Sequence, residues 1–290
     1  MENRKLIIPI ILLGFLVNVS LALAYGVETH AFLTDEAVKF YNQHFENKIS
    51  EENKIFLIDG ARKEDDTPRY MNHFYDPVNN RGLTGEYSFG VDWLSSKLWS
   101  QSPMAQKAPI FLLGAGTEAS ILSASQIDRI KTTFSQTDFT WEKALRLYAE
   151  GELEDALYTL GHLIHLIEDA AVPDHTRNDP HPPVDNGGSP YETWTEKFTL
   201  ENPDIELASR LTGKKPSILG DINSYFDSMA LYSNNNFYSR DSVKEFELPK
   251  PDYNAPFGRY FYGFKKDNDL GDYRLIVYSG DPDALSWNVK

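Results

Sequence analysis

Leu160-Gly-His-Leu-Ile-His-Leu-Ile-Glu-Asp-Ala-Ala-Val-Pro-Asp-His175 carries histidines and carboxylates through an otherwise apolar segment. At 100° per residue, Tyr158, Gly161, His162, His165 and Asp169 fall on one helical stripe. Leu157, Leu160, Leu163, Ile164, Leu166 and Ile167 occupy the rest of the surface. A helix apolar nearly all round is a buried helix. Ionisable groups buried there cost several kcal/mol unless they pair with one another or bind a metal. His165 and Asp169, at i and i+4, can reach one ion; Pro173 then ends the helix, and His175 follows. The competing reading of His165, Asp169 and His175 is a buried ion-pair network.

Around this helix the pattern is mainly α. Helices are predicted at Thr34–Glu46 with Thr34 as N-cap, and at Glu51–Ile58, stopped by Asp59-Gly60. Residues 61–92 read as an irregular loop punctuated by Pro68, Pro77 and Gly85. Short helices follow near Val91–Trp99 and Ala105–Leu113, then longer ones at Glu118–Phe134 and Trp141–Ala149, the latter capped by Thr140. The central helix spans Glu152–Ala170. Residues 174–190 form a Pro/Gly/Asp-rich loop, and Glu192–Thr199 and Asp221–Tyr232 resume helical character. Beyond Asn234-Asn-Asn236 the chain is rich in Tyr, Phe, Asp, Gly and Pro, and Tyr273–Tyr278 could form a strand.

The 290 residues carry a net charge of −15 and no cysteine. Such acidity argues against a general nucleic-acid coat, which needs clustered Lys and Arg. It does not exclude a metal-centred nuclease, because dications alter the local field. Without thiolates, any metal must be held by nitrogen and oxygen. At the start, Arg4 and Lys5 precede an apolar run from Leu6 to Leu21 and the small-residue site Ala22-Leu-Ala24. Residues 1–24 therefore read as a secretory signal peptide, with a secreted or periplasmic destination; an uncleaved anchor is the alternative.

The histidines are His30, His44, His73, His162, His165, His175 and His181. Glu64-Asp-Asp-Thr-Pro68 precedes Asn72-His-Phe-Tyr-Asp-Pro77, so one proline-fixed loop can present acids and a histidine to the end of the buried helix. His44 reads as structural. His162 reads as a hydrogen-bond partner behind a ligand rather than a ligand, and Asp76 as the holder of a turn. No Gly-x-Ser-x-Gly elbow or convincing phosphate-binding glycine loop is present.

The pattern His165-x3-Asp169-x5-His175, with His73-Phe-Tyr-Asp-Pro77, resembles the bacterial zinc-dependent phospholipase C family. That family shares its mostly helical fold with zinc nucleases that cut single-stranded nucleic acid, and both groups bind three zinc ions. Both use the mature N-terminal residue as a ligand through its amine and carbonyl. Cleavage after Ala24 leaves Tyr25 first, with His30 five residues on, as in the nuclease branch. The match covers Tyr25 to about Trp194.

The resemblance implies a mainly α, single-domain, multi-helix phospholipase C/nuclease-like fold over residues 25–236. Residues 237–290 would be an irregular, partly β extension packed on the same domain. One zinc would use Asp65, His73, His165 and Asp169; a second, the Tyr25 N-terminus and His30, with Asp169 bridging. A third would use His175, Glu192 and His181. Asp65 would also be the general base. Asp66 is the alternative to Asp65, and Asp185 a weaker alternative to Glu192. The family's histidine four residues before this glutamate is Gly188 here. The implied activity is hydrolysis of a phospholipid or other phosphate ester by a metal-activated water, with transient contact at a membrane surface and no stable nucleic-acid partner. A single-strand nuclease or nucleotidase is the nearest alternative, and a non-catalytic metal-stabilised binding protein the other. The aromatic group Tyr260-Phe-Tyr262 with Phe264 is read as core, a lipid-contacting patch being the alternative.

Overall fold

In the computed structural model the described residues are 26–66, 69–85, 88, 92–107, 138–180, 189–237 and 239, with the backbone of 260–267, 271–281 and 284–289. The helices are α1 (Val27–His44), α2 (Glu51–Glu64), α3 (Ser96–Trp99), α4 (Pro103–Lys107), α5 (Trp141–Glu150), α6 (Leu153–Asp169), α7 (Pro173–Thr176), α8 (Pro190–Glu201), α9 (Leu207–Arg210) and α10 (Ile222–Asn236). A 3-10 turn spans Arg69–Asn72. The strands β1 (Tyr260–Asp267), β2 (Gly271–Asp281) and β3 (Ala284–Val289) form an antiparallel sheet in the order β1-β2-β3. The chain is thus mainly helical, and the strand expected at Tyr273–Tyr278 is the middle of β2. Among the described residues no helix is long and apolar enough to cross a membrane.

Local chemistry explains where the helices begin. The side chains of Ser50, Ser95, Thr140, Ser189 and Asp221 accept from the backbone N–H groups of Asn53, Leu98, Lys143, Glu192 and Ser224. Each satisfies a donor that the first turn leaves without a helical partner. Gly151 ends α5 at φ 85°, a left-handed conformation that suits glycine.

Several expected boundaries differ: the loop expected over 174–190 includes most of α7, the helix expected from Val91 starts at Ser96, and two further differences have a clear physical cause. Thr34 is not a cap: α1 starts at Val27, so Thr34 lies inside the helix with its side chain buried. The second helix does not stop at Asp59-Gly60 but continues to Glu64. Gly60 serves packing there. A Cβ on it would stand 2.0 Å from the Tyr158 carbonyl oxygen, and one on Gly161 would stand 2.2 Å from the Leu57 carbonyl oxygen. The two glycines let the backbones of α2 and α6 touch.

α6 is the axis of the helical body, packed by α2 and α5 and approached by α1 and α10. Its apolar side meets Trp99, Tyr75, Ile222, Phe226 and Ala230 through Leu166 and Ala170. Fully burying side chains such as Leu166 and Phe226 contributes about 1.5–3 kcal/mol each. The expected helix at Glu118–Phe134 and the side chains of residues 260–264 lie outside what is described.

Replacing Gly161 by alanine drives a methyl into the Leu57 carbonyl, and is expected to cost about 1–3 kcal/mol or more. Gly220→Ala meets nothing within 4 Å and should stay within about 0.5 kcal/mol of the unmodified protein. Urea denaturation of both variants checks this; equal effects would remove the close-approach account.

Candidate metal centre

The contact of α6 with α2 orients the first ligand candidate. His165 Nδ1 lies 2.7 Å from the Ala61 carbonyl oxygen. A carbonyl only accepts, so Nδ1 carries the hydrogen and the lone pair sits on Nε2. That nitrogen is 3.2 Å from Asp169 Oδ2 and 3.6 Å from Asp65 Oδ1. His73, which follows the 3-10 turn, brings Nδ1 to 2.9 Å from Asp169 Oδ2 and 3.7 Å from Asp65 Oδ1. From α1, His30 Nε2 stands 3.5 Å from Asp169 Oδ1. From α7, His175 Nδ1 stands 3.4 Å from the same oxygen, and its Nε2 lies 3.2 Å from Glu192 Oε1 on α8. One carboxylate therefore meets four imidazoles, and all five side chains are buried.

Two groups of donors converge: His30, Asp65 and His165, and His73, His165 and Asp169, the atoms of each within 4.8 Å of one another. Ligands about 2.0–2.1 Å from a tetrahedral ion stand about 3.3 Å apart, close to most of these separations. Both oxygens of Asp65 are buried and meet no hydrogen-bond donor among the described residues. A buried carboxylate in that state is costly unless a cation approaches it. The donor set and spacing fit a divalent ion.

Protons otherwise carry the compensation. For His30, burial opposes charging, but Asp169 and Glu168 outweigh it and raise the pKa to about 10. For His175, burial again opposes, and Asp169 with Glu192 raises it to about 9. Burial works against ionised Asp169, yet His175, His165 and His73 hold it well below the usual carboxylate range. Asp65 moves upward, burial being the largest cause. His30 also stacks on His165 with ring centroids 3.5 Å apart, so charging both rings sets like charges face to face. Bound dications would let both rings stay neutral.

The remaining sequence candidates separate clearly. Asp66 is exposed, 3.4 Å from Lys63, while Asp65 turns inward. His162 faces away from Asp169: its Nδ1–H donates to Glu64 Oε2 at 2.6 Å, and its ring stacks on Phe139. His44 is exposed and bonds the Phe40 carbonyl in the last turn of α1. Asp76 accepts from the backbone N–H groups of Val78 and Asn79, which makes it a turn holder. Tyr25, His181, Asp185 and Gly188 lie outside the described residues.

Two carboxylates to which sequence reading gave no role shape the surroundings. Glu64 accepts from Arg69 Nε at 2.7 Å and from Trp99 Nε1 at 2.9 Å, tying the end of α2 to the loop that carries His73. Glu168 lies 2.6 Å from His30 Nδ1. The run Glu64-Asp65-Asp66 looked like one acidic patch, but its members point to a buried arginine, the ligand cluster and solvent in turn. Helical turn geometry is the signal that could have separated them.

Among solved structures the chain is similar to the alpha toxin from Clostridium absonum, with a TM-score of 0.45 and 14% identity over 90% of this chain and 80% of that one. No family model and no curated protein matches. What the centre can do follows from its own residues.

Because His30 and His175 are raised to about 10 and about 9, both are protonated at pH 7 in chelator-stripped protein. A cation takes only the neutral rings, so loading at pH 7 should release protons, those of His30 and His175 among them. The release should fade as pH rises through 9 and 10. Titration calorimetry in buffers of different ionisation heat measures it, and a heat independent of buffer would contradict the assignment.

Proposed function

We propose that the chain is an exported zinc-dependent hydrolase of phosphate esters, of the phospholipase C type. The observation that carries this reading is the buried Asp169 carboxylate within 3.5 Å of His30, His73, His165 and His175. Nitrogen and carboxylate donors without thiolates suit zinc. In the proposed assignment Asp65, His73, His165 and Asp169 hold one ion; His30 and the Tyr25 terminus hold a second, with Asp169 shared. His175, Glu192 and His181 hold the third. Export rests on the charged start, apolar run and small-residue site of residues 1–24.

Bound zinc supplies Lewis acidity, making a water more acidic and offsetting charge on phosphoryl oxygens. The protein's part is positioning and proton handling. In this reading Asp65, whose oxygens meet no donor among the described residues, would accept a proton from the attacking water as general base. The Ala61 carbonyl fixes the His165 tautomer. The apolar packing of α6 excludes water from behind the ligands, which strengthens every electrostatic contact in the centre.

A groove of about 280 Å³ runs between α1, α8 and α9, and its lining includes Thr29 and Tyr191, the chain neighbours of His30 and Glu192. Phe32, Leu33, Trp194 and Phe198 line it, and Arg210 is its one charged residue. An apolar lining suits an amphipathic ester meeting the protein at a membrane surface. The same aromatic rings also favour a second reading, a single-strand nuclease or nucleotidase that stacks a base. A nuclease gains most from a basic track for phosphates, and the net charge of −15 gives that reading less support.

Elemental analysis of the processed protein should find two to three zinc ions. Phosphatidylcholine and single-stranded DNA, assayed side by side, separate the two substrates. Asp169→Asn should lose two metals together and lower turnover by about 10²–10³-fold or more. Full metal content and activity in that variant would refute the shared-ligand reading. Zinc without hydrolysis of any phosphate ester would point instead to a metal-stabilised binding protein.

A further inference from the structure

Building on the zinc reading above, we propose that Glu168 is a positioning residue that fixes the tautomer and orientation of His30 toward the ion. Glu168 Oε2 lies 2.6 Å from His30 Nδ1, and its other oxygen accepts from Thr34 Oγ1 at 3.2 Å. Thr34 is four residues beyond His30, on the same face of α1. The carboxylate is therefore anchored at both oxygens to one helix face, while its own backbone belongs to α6. An ionised carboxylate only accepts, so Nδ1 carries a hydrogen, and in the neutral ring that takes a metal the lone pair is on Nε2. That nitrogen is the one that faces Asp169 Oδ1 at 3.5 Å.

Neighbouring residues on α6 thus take different tasks. Asp169 points at the ion, and Glu168, about 100° round the helix, holds a ring that α1 contributes to the same ion. The contrast with His165 sharpens the inference: its outer nitrogen meets the neutral Ala61 carbonyl, whereas the outer nitrogen of His30 meets a carboxylate. A carboxylate behind an imidazole raises its basicity as a ligand, and losing such a partner typically costs 10–100-fold in metal affinity. His30 should therefore bind its ion more strongly than an imidazole held by a carbonyl. The pair Glu168–His30 also stitches α1 to α6 independently of the ion.

Long-range proton–nitrogen NMR on the zinc-loaded, processed protein reads the tautomer without any substitution. The expected result is a protonated Nδ1 on His30, with its proton shifted strongly downfield and the metal on Nε2. Metal on Nδ1 would overturn the proposal. Glu168→Ala should weaken one zinc by about 10–100-fold in chelator competition and change the visible spectrum of the cobalt-substituted protein. Glu168→Gln, which keeps a carbonyl acceptor, should recover part of the loss and serves if the alanine variant does not fold. Unchanged zinc affinity together with an unchanged His30 proton in Glu168→Ala would overturn the role while leaving the zinc reading intact. An unmodified protein that binds no zinc would remove the zinc reading itself, and this inference with it.

Discussion

The structure depends on keeping the Asp169 carboxylate ionised in a place where water cannot reach it. An isolated buried charge of that kind is costly, and here it is met by imidazoles from four chain segments: α1, the loop after the 3-10 turn, α6 itself and α7. Each ring must arrive at a particular angle, so each segment must be held by something else. The Ala61 carbonyl holds His165, Glu168 holds His30, and Glu192 lies against His175. The site and the helical packing are thus one problem. α2 can offer its Ala61 carbonyl because Gly60 and Gly161 let the two helix backbones meet.

A second buried network stabilises the approach of His73. Glu64 is enclosed by Arg69, Trp99 and His162, and Gln106 accepts from Arg69 while donating to the Trp99 carbonyl. Arg69 is the counter-charge, and His162, whose pKa burial lowers to about 4, donates as a neutral ring. Glu64, Arg69 and Gln106 are tied together by buried hydrogen bonds, and such a network rigidifies what it touches. Its position one turn before the ligands on α6, and one residue before Asp65 on α2, explains how a loop can deliver a buried histidine. His162 shares the stripe of His165 and serves this network.

Much of this was legible in the chain alone. The buried helix could be read from its apolar surround, and its helical spacing put His165 and Asp169 together. One cap could be read from Thr140, and the turn from Asp76. What escaped reading was whatever depends on a neighbour's backbone. Gly60 resembles a helix stop, and only the face of α6 opposite it shows that it is a contact. Thr34 resembles a cap because threonine before Asp35-Glu36 is a common helix start; its partner Glu168 is 134 residues away. Glu64 and Glu168 carried no local mark, since each sits beside a carboxylate that looked equally qualified.

These features bear on how a chain without cysteine holds together. A cluster of buried carboxylates and imidazoles is a weak source of stability by itself, because desolvation offsets much of the attraction between its members. The apolar packing around Leu166, Phe226 and Trp99 must supply the excess. An ion that binds the folded chain and not the unfolded one adds RT ln(1 + [L]/Kd), about 4 kcal/mol at a thousandfold excess over Kd. That is a substantial part of the 5–15 kcal/mol typical of a folded domain. The ligands come from segments far apart in sequence, so the gain is available only after those segments have assembled. Metal binding and folding are then linked: the centre that would do the chemistry also closes the fold around it.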